Sequence, residues 1–131
     1  MIRVDAMRRI RGALSYRCEL WSALAAIAWA KVGYWGALNL DAIGIYHGAT
    51  RIFSGATWEA LALGVGCFQL VSLLLFCRWA RVVGALIAGW FWIVLGGSFF
   101  MSDGIIPGLA LYFGIGLAQV HSTLAGIMQP R

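Results

Sequence analysis

Charged and amide side chains inside otherwise apolar sequence are the only residues here with chemistry to offer. Lys31 and Glu59 are the ionisable pair. Lys31 lies past the middle of one apolar run and Glu59 one turn into the next, so an antiparallel hairpin would bring them to similar depth. Lysine's long stem bridges the remaining offset. That predicts an ion pair in the outer leaflet; the functional alternative is a polar lining to a pore, or a proton-linked carboxylate. Gln69, near the centre of the second run, is expected to hydrogen-bond another helix and drive association. Gln119 and His121, with Ser122 and Thr123, make the end of the last run polar. His121, near the end of a span, reads as an interfacial residue.

No other constellation accompanies them. The chain has no glycine-rich phosphate loop, no HExxH, no GxSxG and no paired carboxylates on one helix. Its five acidic residues are scattered, too few to assemble a convergent catalytic set. The expectation is a protein that is not an enzyme and carries no cofactor or metal. Cys18, Cys67 and Cys77 show neither metal-ligand spacing nor CxxC, and read as free thiols.

The elements that hold these residues are four long apolar runs in 131 residues, 20–38, 56–77, 82–100 and 105–124. Apolar residues make up 62% of the chain and charged residues 11%, with a mean hydropathy of +0.84. Globular domains carry roughly 45–50% apolar and about 25% charged residues, so part of the solvent must be lipid. At ~1.5 Å per residue each run spans about 30 Å, the thickness of a bilayer's hydrocarbon core. Continuous rather than alternating apolarity excludes strands. The predicted fold is all-α: a compact bundle of four transmembrane helices, its close packing served by 17 glycines and by the pairs Ala60/Gly64, Ala62/Gly66, Gly84/Ala88, Ala85/Gly89 and Gly114/Ala118.

Orientation follows from the arginines. The net charge is +5, but the basic residues punctuate the runs rather than form a nucleic-acid patch, and no nucleic-acid partner is expected. Segment 1–19 holds Arg3, Arg8, Arg9, Arg11 and Arg17, and the link between the second and third runs holds Arg78 and Arg81. The opposite links contain Arg51 with Asp41, and Asp103. By the positive-inside rule both termini, including the 125–131 tail with Arg131, and the Arg78–Arg81 turn face the cytoplasm. A cleaved signal peptide is the competing reading of the first run, since Ala26-Ile27-Ala28 resembles a cleavage site. The run continues to Leu38, longer than a signal's apolar core.

Between the first two runs, Ala42, Ile45, Tyr46, Ala49, Ile52 and Phe53 recur at helical spacing. This predicts a short amphipathic helix over 41–53 in the outer interface, with an irregular loop as the alternative. Tryptophans 21, 35, 58 and 79 stand near run ends, where indoles anchor at headgroup level, and Trp29, Trp90 and Trp92 lie deeper.

This pattern, Trp21…Trp29, then Trp58-Glu59, Gly64-x-Gly66-x-x-Gln69-Leu70, Arg78–Arg81, Gly84 and Trp90/Trp92, resembles small four-span membrane proteins of tailed phages and prophages. The likeness covers residues 17–125. It implies a phage-encoded protein of the bacterial inner membrane, working in lipid and as a homo-oligomer. Two functions follow as expectations: a holin-like effect on membrane permeability, or a membrane-embedded binder that excludes superinfecting phage or anchors a partner at the basic N-terminus. A small exporter is a third; exporters of that kind carry a carboxylate in the first span, where this chain has Lys31.

Overall fold

A computed structural model describes residues 2–34, 47–75, 77–101 and 108–128, with side-chain surroundings for most of them. Five helices follow in order: α1 (Ile2–Tyr34), α2 (His47–Ile52), α3 (Gly55–Leu74), α4 (Arg78–Ser98) and α5 (Gly108–Met128), with a 3₁₀ turn at Phe99–Met101 after α4. Among the described residues there is no strand.

Among the described residues three helices are long and apolar enough to cross a membrane: Gly55–Leu74, Arg78–Ser98 and Ala110–Met128. The first predicted run does not join them within the described residues. Glu19 and Lys31 both fall within α1 and leave between them only Leu20–Ala30 uncharged, about 16 Å of helix; the end of that run, 35–38, lies outside the described residues. The helix nevertheless packs as a full member of the bundle. Ala23, Ala26 and Ala30 are buried at three- and four-residue spacing, one face of a helix turned to its neighbours. The chief pairings are α4 on α5 and α1 on α3.

Element boundaries differ from the sequence reading in three places. The basic N-terminal segment is helical from Ile2 and continuous with the first run. The Arg78–Arg81 link is the first turn of α4, and the last helix continues to Met128, past the expected end at 124. Turn chemistry explains the start of α3, where the Ser54 side chain accepts from the Thr57 backbone N–H at 3.3 Å, a standard N-terminal cap.

Small residues set how closely the helices approach. A Cβ on Gly66 would lie 2.7 Å from Ile27 Cγ1 and 2.9 Å from the Ala23 carbonyl oxygen, so α1 and α3 touch backbone to backbone there. Gly116 does the same for α5, where a Cβ would fall 2.7 Å from Ile93 Cγ1 of α4. Of the small-residue pairs, Ala62/Gly66, Gly84/Ala88 and Ala85/Gly89 are buried. Gly64 and Gly114 face open space.

The half of the bundle away from Arg78 is filled with rings. Phe53, Trp58, Phe91, Trp92, Tyr112 and Phe99 form an unbroken chain with centroid separations of 5.2–5.9 Å, and Trp29 adds an edge contact to Phe91. Such pairs stabilise beyond their buried area by about 0.5–1.5 kcal/mol each. Trp58 is 1% exposed and is therefore a core residue, not the headgroup anchor its position suggested. Its indole N–H donates to the Ala49 carbonyl at 2.7 Å and so ties α2 to the bundle. Residues 41–46 of the predicted interfacial helix lie outside the described residues; the part that is described, α2, is short and buries Gly48 and Ala49. Trp21, Trp79 and Trp90 face outward.

Candidate functional site

Polar side chains of four helices meet between the ring-filled half and the Arg78 end. Gln69 of α3 donates from Nε2 to Gln119 Oε1 of α5 at 2.6 Å. Gln119 Nε2 donates in turn to the Cys18 carbonyl of α1 at 3.2 Å. Both glutamines are essentially inaccessible. One turn further along α1, Ser22 Oγ accepts from the Trp92 indole at 3.0 Å. Ser72 and Thr123 return their hydroxyls to the carbonyls four residues back, Phe68 and Gln119, at 2.6 and 2.9 Å. In an apolar setting an unbonded polar group costs several kcal/mol, which accounts for this degree of mutual satisfaction. The Gln69 Oε1 atom is the exception, buried with no hydrogen-bond partner.

Charge enters the cluster as an ion pair. Arg81 Nε donates to Glu19 Oε2 at 2.9 Å and its Nη2 to Glu19 Oε1 at 3.2 Å, a two-point match of planar groups. The Glu19 side chain is 4% exposed and that of Arg81 30%, so the arginine brings its charge inward from a wetter position. The Tyr16 ring lies 5.6 Å from the same guanidinium. Arg78 reaches the other way: Nε donates to the Gly126 carbonyl at 2.7 Å and Nη2 to the Ile127 carbonyl at 2.8 Å. Those carbonyls end α5, where the helix dipole favours a cation. Two arginines one turn apart thus fasten α4 to α1 and to α5.

Of the residues singled out by sequence, Gln69 and Gln119 are brought together, and Arg78 and Arg81 are joined to the cluster's rim. Lys31 and Glu59 are not. Among the described residues no ion pair joins them; Lys31 is exposed, Glu59 is half-buried, and the arginine–carboxylate pair forms elsewhere, with Glu19. The expected pair fails because α1 packs on α3 through Ala23, Ala26 and Gly66, which fixes the faces the two helices share. His121 is exposed beside the buried Ser122 and Thr123. Arg17 is exposed, and Arg8, Arg9 and Arg11 lie on the N-terminal part of α1. Cys18, Cys67 and Cys77 are free, with Cys67 and Cys77 exposed.

Sequence reading passed over Glu19, Ser22 and the inward face of Trp92. A usable signal existed for Glu19: it is an acidic residue at the threshold of an apolar run, on the same predicted side as Arg78 and Arg81. Nothing in the spacing distinguished Trp92 from Trp90, which points outward.

Among the described residues no three His, Cys, Asp or Glu side chains gather as metal ligands. The cluster holds donors, acceptors and one charge pair, most of them bonded to each other, and it joins four helices. No family model, curated protein or solved structure matches the chain.

Proposed function

We propose that the chain is a four-span integral protein of the bacterial inner membrane, phage- or prophage-encoded, which associates with its own copies and thereby alters membrane permeability in a holin-like manner. The observation that carries this reading is an open apolar groove beside Gly64 on the outer surface of α3. Rings fill one half of the bundle, and among the described residues the polar groups toward Arg78 are largely bonded to one another, so this reading routes ions between protomers. On the lipid-facing side of α3, an apolar groove of about 370 Å³ runs along Thr57, Ala60, Gly64 and Phe68, walled by Ile87 of α4. Gly64 at its floor meets nothing within 4 Å, and small residues on a membrane-facing stripe let a second helix approach closely.

Expression in bacteria with a potential-sensitive dye tests the reading. Depolarisation by the native protein, lost in Gly64→Trp while membrane insertion persists, is the expected result. Cells that stay energised despite abundant inserted, oligomeric protein would refute it.

A second reading, a membrane-embedded binder or exclusion protein, is favoured by the helical continuation of α1 from Ile2, which would display the basic segment to a partner. Deleting 1–17 would abolish exclusion or anchoring and leave insertion intact.

A further inference from the structure

Helix α5 carries polar side chains on two opposite faces. Gln119 turns into the bundle, where it bonds Gln69 and the Cys18 carbonyl. His121 stands two residues on, about 200° around the axis, and is exposed. With the span ending at 124 it would lie one turn from water, but α5 continues to Met128. Arg78 holds the Gly126 and Ile127 carbonyls at that end, and His121 lies about 8 Å of helix further in. Helical side chains lean toward the N-terminus, so the imidazole points away from the polar end. Among the described residues it has no hydrogen-bond partner within the chain. Surface left uncovered inside a span meets lipid tails or another protein, and lipid tails satisfy no imidazole.

The surroundings of His121 form a seam. Ala110, Gly114, Leu117, His121, Leu124 and Met128 are all exposed, follow one another in steps of four and three residues, and fall within an arc of about 80°. Any outward helix face repeats in this way; the histidine in the middle distinguishes this one. A Cβ on Gly114 would meet nothing within 4 Å, which lets a partner helix come close. α5 is also the least covered of the three spanning helices, with 22% of its apolar stretch buried against 39% in α3 and 50% in α4.

A second copy supplies what the seam lacks. Copies inserted in one orientation are related by an axis along the membrane normal, so the two His121 side chains arrive at the same depth. A neutral imidazole has one N–H and one bare ring nitrogen, and each ring completes the other. Resting on the self-association reading, we infer that the outward seam of α5 is a further contact between copies of this chain, held in register by a His121–His121 hydrogen bond. A single polar residue in an apolar seam fixes register in this way. α3 and α5 each pack against both α1 and α4, so the α3 groove and the α5 seam stand at opposite corners of the bundle. One self-complementary surface stops at a dimer; two carry assembly beyond it.

The test reconstitutes the full chain at a series of protein-to-lipid ratios and reads association by energy transfer between donor- and acceptor-labelled copies. Gly64→Trp, which fills the α3 groove, should leave dimers where the native protein forms larger assemblies. Adding His121→Leu should weaken that dimer about three- to fifteenfold, the range of an interhelical hydrogen bond. His121→Asn, which keeps a donor and an acceptor, should restore it, with tryptophan fluorescence unchanged throughout. In a C18S/C67S/C77S background, L117C on the seam should form a copper-phenanthroline disulfide between copies faster than V120C, which is exposed to one side. A monomeric G64W, a dimer undiminished in G64W/H121L, or equal cross-linking at 117 and 120 would overturn the seam and leave association through Gly64 standing. A native chain monomeric at every dilution would sink the self-association reading itself, and the seam with it.

Discussion

The Gln69–Gln119–Cys18 relay and the Glu19–Arg81 pair sit in the same region but differ in what their loss should cost. Interhelical bonds in membranes average about 0.6 kcal/mol and reach about 1.7, so Gln119→Leu should destabilise by about 1–2 kcal/mol in detergent-driven unfolding followed by tryptophan fluorescence. The double change Q69L/Q119L should cost less than the sum of the single changes, because it removes both polar groups instead of stranding one. Additive losses would show that the two amides are not coupled. Arg81→Ala leaves the Glu19 carboxylate buried without its cation and should cost about 3 kcal/mol, the low end for a broken buried pair given the arginine's partial exposure; E19L/R81L should recover much of that in the same assay.

Between elements, close approach is the controlling quantity. Gly66→Ala places a methyl against the Ala23 carbonyl oxygen, which cannot rotate away, and should destabilise by about 1–3 kcal/mol. Gly64→Ala, with open space beyond it, should change stability by no more than about 0.5 kcal/mol. Equal losses at the two positions would mean that the α1–α3 contact is misplaced. At the other end, Trp58→Phe removes the donor that holds the Ala49 carbonyl; amide exchange over residues 48–52 should quicken while that of α4 stays slow. Helices, their approximate ends and the inward turn of Gln69 were readable from apolar run length and isolated polar residues. Which faces would meet was not. Gly64 and Gly66 belong to overlapping small-residue patterns two positions apart, and only tertiary packing decides that one is buried and the other open. The same ambiguity produced the Lys31–Glu59 expectation, since depth can be counted along a sequence but facing cannot.

For the whole molecule, sidedness is the property from which the functional proposals follow. Cys77 is exposed and stands immediately before Arg78, so it serves as a native reporter. An impermeant thiol reagent should modify it in inverted membrane vesicles and spare it in intact cells or right-side-out vesicles. The reverse pattern would turn the molecule over, setting the arginine-bearing ends outside. Membrane residence is legible in composition, which sums over every residue, whereas activity is not, because the polar groups are few and chiefly bond to each other.

The tie between Glu19 and Arg81 spans 62 positions of chain, which has a consequence for biogenesis. During synthesis the Glu19 carboxylate emerges long before the Arg81 guanidinium that pairs with it in the finished bundle. That contact cannot form before the start of α4 is delivered, and the first segment is expected to pass through a stage without it. Ribosome stalling just before and just after residue 81 should separate an extractable first helix from a committed one.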